Sequence, residues 1–176
     1  MGSTKQYKKL IAVFITSAIY AGTAQSAQRC KEYKPATAPT DSFEIDLEKN
    51  VVIKDGLMWK RCAEGQSLSS RKGCKGKANL IYFEDALTNS KYKRFAGYSD
   101  WRVPTIEELA SVVEKRCKQP AFNLQVFPEA PNFKIWSSSV VENNDEKVWI
   151  MFSSTGVKIK HRASLPAMLR MVRDVK

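Results

Sequence analysis

Polar and apolar residues alternate in some stretches of the chain and recur at helical spacing in others, and the two periods lay out its elements. Phe43, Ile45 and Leu47 alternate with Glu44, Asp46 and Glu48, which predicts a half-buried strand. Val51, Val52 and Ile53 predict a second short strand. Asp55-Gly56 is a two-residue hairpin signal, and Leu57 to Cys62 is the returning strand, with Trp59 assigned to the core. Ala63 to Ala78 has no period and predicts a loop rich in Gly, Ser, Lys and Arg. Phe83, Ala86, Leu87 and Ser90 share one face of a first helix, starting near Tyr82 and broken at Gly97. Ile106, Leu109, Ala110 and Val113 share one face of a second helix, predicted from Ile106 to about Cys117 and stopped by Pro120. Ala121 to Lys134 is irregular and proline-containing.

Strands dominate the last third. Trp136 to Val140 predicts one, Glu142 to Glu146 an acidic turn, and Lys147 to Ser153 the next. In that strand Val148, Ile150 and Phe152 fall on one face, Trp149 and Met151 on the other. Thr155-Gly156 is a turn. After it Val157 and Ile159 alternate with Lys158 and Lys160, giving one apolar and one basic face. Ala167 to Arg173 is the closing strand. The expected fold class is α+β: two helices packed on a twisted antiparallel sheet.

The start of the second helix is the most fully specified point in the chain. Pro104 biases Val103 to extended geometry, so the helix cannot begin earlier. Thr105 is then an N-cap, and Glu108 three residues on completes a capping box. Glu107 and Glu108 place negative charge at the positive end of the helix dipole. Trp101 and Arg102 lead into the cap and anchor the turn.

The first residues differ from the rest. Lys5, Lys8 and Lys9 precede an apolar run from Leu10 to Ala21, followed by small residues. That predicts a leader peptide over residues 1–26, with cleavage after Ala24 or Ser26, the alternative being an uncleaved anchor. The run is shorter than the ~20 residues a membrane-crossing helix takes. No later run is long and apolar enough, so no integral membrane segment is expected in the mature chain. Ala27-Gln28-Arg29 before Cys30 is not a lipidation signal. An N-terminal arm over 27–42 and one domain over 43–174 follow. All four cysteines, Cys30, Cys62, Cys74 and Cys117, lie beyond the leader, and an even count in an exported chain argues for disulfides. Four cysteines allow three pairings, which spacing does not separate. Zinc is not expected: no Cys-x-x-Cys occurs, and the single histidine, His161, is remote.

The pattern Gly97-x-x-Asp100-Trp101-Arg102-x-Pro104-Thr105-x-x-Glu108-Leu109 resembles the Lcl C-terminal domain family. That bacterial family takes its name from the last domain of a collagen-like surface adhesin. Asp55-Gly56-Leu57-Met58-Trp59-Lys60-Arg61-Cys62, then Phe127-Pro128 with Trp136-Ser137-Ser138-Ser139, then Val172-Arg173, match in order, from about Phe43 to Arg173. The Arg-x-Pro-Thr-x-x-Glu core is also similar to formylglycine-generating enzymes. The resemblance therefore implies a C-type-lectin-like fold. It favours Cys62–Cys74, closing a short polar loop, with Cys30–Cys117 tying the arm to the second helix. It assigns structural roles to Trp59, Trp101, Arg102, Pro104, Thr105, Glu108 and Trp136. It also implies glycan binding in adhesion and admits a homo-oligomer, although no collagen-like repeat is present to drive a trimer.

The residues carry little chemistry. Formylglycine-generating enzymes use a cysteine pair late in the chain, and no cysteine follows Cys117 here. Ser137, Ser138 and Ser139 with one histidine in a basic strand do not make a triad. Glu142 to Glu146 is oxygen-rich but lacks the calcium-binding triplets of sugar-binding C-type lectins, and reads as a solvated turn. Trp59, Trp101, Trp136 and Trp149 suit the core better than a sugar platform. No enzyme, cofactor or metal is expected.

Charge points to a partner. The net charge is +11, and the leader holds three lysines and no acid, which leaves the remainder near +8. That favours acidic polymers. Export makes nucleic acid the least suitable of them. Three basic groups are candidate anionic-glycan contacts: Arg71, Lys72, Lys75 and Lys77 in the loop, Lys91, Lys93 and Arg94 at the end of the first helix, and Lys158, Lys160 and Arg162 on one strand. The expected protein is an exported, periplasmic or surface, non-enzymatic binding domain for an anionic polysaccharide or surface protein. The alternative is an envelope structural subunit whose basic face meets a protein partner.

Overall fold

The computed structural model describes residues 28–69, 73–128 and 133–176. The expected leader over residues 1–26, and Arg71 and Lys72, lie outside the described residues. In chain order the strands begin with β1 (Arg29–Cys30), β2 (Glu44–Asp46), β3 (Val51–Lys54) and β4 (Leu57–Lys60). Next come β5 (Ser67–Ser69), β6 (Gly73–Lys75) and β7 (Leu80–Ile81), then the helices α1 (Phe83–Tyr92) and α2 (Ile106–Ser111). The chain ends in β8 (Cys117–Lys118), β9 (Lys134–Val141), β10 (Asn144–Phe152), β11 (Val157–Arg162), β12 (Ala167–Met168) and β13 (Val172–Asp174). The fold is α+β, as the pattern predicts.

Two larger sheets carry it. One runs β11-β10-β9-β12-β7, the other β13-β4-β3-β2, and β1-β8 and β5-β6 are two-stranded ribbons. Asp55 and Gly56 both have positive φ, which lets the β3–β4 turn follow the strand twist with register Lys54 to Leu57. Alternate residues of both sheets supply two cores. Ile135, Met151, Met168, Val52, Trp59 and Val172 join Ile106 and Leu109 of α2 in one. Trp136, Val148, Ile150, Ala167, Val51 and Met58 join Phe83 and Ala86 of α1 in the other. Val148 and Ile150 therefore divide from Trp149 and Met151 as the period of two requires.

Several boundaries depart from expectation. The helix α2 stops at Ser111, not near Cys117, because Glu114 turns inward to serve the arm. Its carboxylate accepts from the backbone N–H groups of Thr37 and Ala38 (both 3.1 Å) and of Arg116 (3.2 Å). The sheet is mixed rather than antiparallel, since β12 pairs with β9 in parallel at Met168 and Ile135. The closing strand is two strands in different sheets. Between them Arg170 is fully buried, donates to the carbonyls of Lys60 (2.9 Å) and Arg61, and lies 4.7 Å from the Phe127 ring centroid. Burial and the neighbouring Arg61 charge pull its proton affinity below the usual arginine range. The acidic turn shrinks to Glu142-Asn143, and β10 begins at Asn144. The first alternating stretch is a strand only over Glu44–Asp46, with Leu47 exposed beyond it. The returning strand stops at Lys60, and the Ala63–Ala78 loop contains the β5–β6 ribbon.

Candidate functional site: two cationic surfaces

The motif residues frame the surfaces. Both halves of the capping box form: Glu108 N–H donates to Thr105 Oγ1 (3.2 Å) and Thr105 N–H to Glu108 Oε2 (2.7 Å). Arg102 reaches both oxygens of Glu108 (2.8 and 2.7 Å) and also Asp174 (3.0 Å). Burial pushes the Glu108 carboxyl up, but Arg102 and the Thr105 N–H outweigh it and hold it below the usual range. Arg173 grips Asp100 in the same forked way (2.7 and 3.1 Å), its guanidinium 4.0 Å from the Tyr98 ring centroid. Arg102 and Val172 exchange backbone hydrogen bonds (2.8 and 3.0 Å). The indole N–H of Trp101 bonds the Phe95 carbonyl (3.1 Å), and that of Trp136 the Ile81 carbonyl (2.8 Å). These residues lock the start of α2 to β13.

The serine run is engaged in the same framework. Ser137 Oγ donates to the Trp149 carbonyl, Ser138 N–H donates to the Pro104 carbonyl (2.8 Å), and Ser139 Oγ accepts from Ile106 N–H (3.0 Å). His161 is buried 5.5 Å from Trp136, ring to ring, and burial with the nearby Lys134 charge lowers its pKa. Among the described residues no group of three His, Cys, Asp or Glu side chains is placed to hold a metal.

Among the described residues, the loop cations Lys75 and Lys77 and the strand cations Lys158, Lys160 and Arg162 lie toward opposite edges of the five-stranded sheet. Lys158, Lys160 and Arg162 stand on one face of β11, the strand at one edge of the five-stranded sheet. The edge at the other side is β7, just after Lys75 and Lys77, so four strand spacings, roughly 19 Å, separate the edges. Lys75, Lys77, Lys91 and Arg94 are exposed. Lys93 is held by Glu64, which also bonds Lys60 (2.8 Å).

The β11 row borders an open cleft of about 590 Å³ between the start of α2 and the sheet. Trp149 and Val140 line it, with Glu107 and Glu142 at its acidic side. Lys160 Nζ lies 5.4 Å from the Trp149 ring centroid, and Lys158 Nζ 3.3 Å from Glu107. The register pairs Lys147 with Arg162, which extends the row by a cation that the single-strand pattern does not show.

A second cationic surface was not anticipated. The ribbon β1–β8 pairs Arg29 with Lys118 and Cys30 with Cys117, and the Cys30–Cys117 disulfide ties the two strands. A cleft of about 480 Å³ there is lined by Arg29, Lys31, Lys34, Lys115, Arg116 and Lys118, closed at one side by the β10–β11 turn. Each of the two cysteines is flanked by basic residues, so the pairing of the cysteines was the signal that would have found it. The second disulfide is Cys62–Cys74, so both bridges agree with the pairing the resemblance favours.

A disulfide-tied α+β domain with one cationic cleft and a separate row of strand cations is thus the class that fold and surface define. The chain belongs to the Lcl C-terminal domain family, whose model matches residues 53–173. No curated protein matches it. Among the described residues no helix is long and apolar enough to cross a membrane.

Proposed function

We propose that this chain is an exported, non-enzymatic binding domain that recognises anionic, sulfated glycans at a cell surface or matrix. The observation that carries the reading is the row Lys158, Lys160 and Arg162 on one face of β11, of which Lys158 and Lys160 line an open cleft with Trp149. Cations on alternate residues of one strand face stand about 7 Å apart, a repeat suited to an extended chain with charge on successive sugars. Binding is then multivalent, driven by released counterions and weakened by salt. Trp149 offers an apolar face for a sugar ring. Two disulfides support export, and the engaged hydroxyls of Ser137, Ser138 and Ser139 support a non-enzymatic role. The family membership supports a C-type-lectin-like placement of the fold.

Titration with a heparin hexasaccharide across a salt series tests it. Saturable binding that weakens steeply with salt, and drops at least about tenfold when Lys158, Lys160 and Arg162 are changed to Ser, is the expected result. Binding unchanged by those substitutions sinks the assignment to β11. The edge position of β11 favours a second reading, an envelope subunit whose partner adds an acidic strand there. A stoichiometric complex lost on Lys158→Pro, with no glycan binding, selects it.

A further inference from the structure

The cleft at the Cys30–Cys117 ribbon is built unlike the β11 row. Six cations from two segments converge on one concavity of about 480 Å³. Two carboxylates stand close: Glu32, 3.4 Å from Arg116, and the buried Glu114, 3.8 Å from it. Glu114 is already occupied by three backbone N–H groups. Among the described residues no carboxylate pairs with Lys31, Lys34, Lys115 or Lys118, and Arg29 is held only by the neutral amide of Gln119. The cleft therefore carries a net excess of four positive charges, six cations against two carboxylates, in a small volume.

The walls are held in place rather than flexibly apposed. Gln28 donates to the carbonyls of Pro120 (2.8 Å) and Phe122 (2.7 Å), and Lys31 N–H to the Arg116 carbonyl (2.9 Å). Gln119 N–H bonds the Ser154 carbonyl (2.8 Å), which fixes the third wall. Gly156 makes that approach possible: a Cβ there would lie 2.4 Å from Val113 Cγ1.

We propose that this cleft binds a compact phosphorylated ligand, two or more phosphate groups held close together. A phosphate monoester carries up to about two negative charges and three acceptor oxygens on one centre. Convergent Lys and Arg in a concavity suit that density, whereas a sulfate ester carries one charge and gains affinity from a long track. The ligand is either a soluble oligophosphate compound or the phosphorylated headgroup of a lipid. The inference does not rest on the β11 reading, since it uses none of the same side chains.

The test is calorimetric titration of the oxidised protein with inorganic tripolyphosphate. One saturable site is expected, weakened at least about tenfold by Lys31→Ser with Lys118→Ser and unaffected by the β11 triple substitution. All five positions are exposed, so folding is not at stake. Absence of saturable binding overturns the proposal, and so does equal loss from the two variants, which would reduce the effect to net charge. Co-sedimentation with phosphatidylcholine vesicles containing a bisphosphorylated lipid distinguishes the sources. Pelleting that tripolyphosphate competes away assigns a lipid headgroup; tripolyphosphate binding without pelleting assigns a soluble ligand. Failure here leaves heparin binding at β11 untouched, and the reverse also holds.

Discussion

On β11 the cations stand on alternate residues of one strand, while at the β1–β8 ribbon they come from segments joined by cysteines 87 residues apart. The row needs only a β period and an exposed edge, so it is legible wherever basic and apolar residues alternate. The cluster needs a disulfide, a buried carboxylate and a docked turn before its charges meet. A row survives local disturbance; a cluster does not. The expected effects of substitution differ accordingly.

The largest effect should come from Cys30→Ser with Cys117→Ser. Opening a loop of that length costs about 5 kcal/mol in a chain-entropy account, measured as a lowered urea midpoint. The same variant should lose tripolyphosphate binding while retaining whatever heparin affinity β11 confers. Next is Glu114→Ala, which leaves the N–H groups of Thr37, Ala38 and Arg116 without their carboxylate. A cost of about 3 kcal/mol is expected, read from the same unfolding curves. Loss of cluster binding without loss at β11 would sharpen the contrast; equal loss at both would break it.

Acid titration isolates the same carboxylate more gently. Burial raises the Glu114 pKa, but the three N–H donors outweigh it and the net shift is downward. With a folded pKa below the unfolded value of about 4.3, its contribution to stability is complete above that pH. The contribution is lost as pH falls through the folded pKa. Glu114→Gln should therefore show a shallower stability decline than the parent below about pH 4.3, by chemical denaturation at stepped pH. The smallest expected effect is Trp149→Ala: about fivefold weaker hexasaccharide binding at β11, a contribution of about 1 kcal/mol, with no change at the cluster.

Local signals were reliable where the physics is local. The Thr105–Glu108 box and the Asp55-Gly56 hairpin formed as read, because each is decided within four residues. The helix α2 ends short of its apolar period because Val113 continues that period while Glu114 is needed by an arm some 75 residues away. Ala167 to Arg173 reads as one strand, and in the structure every residue of it is buried, yet Arg170 marks the crossing between two sheets. Uniform burial hides a change of partner.

The amino-acid sequence by itself determined the periods, the caps, the turns and the net positive charge, since those depend on neighbours in the chain. It also carried the family motif, whose Asp100 and Arg102 meet Arg173 and Asp174 from the far end. Only the tertiary structure decided that the described loop cations and the strand cations lie toward opposite edges of one sheet. It alone brought Arg29, Lys31 and Lys34 against Lys115, Arg116 and Lys118. Charge is a property of residues, but its density in a cleft depends on which segments the core and the disulfides bring together.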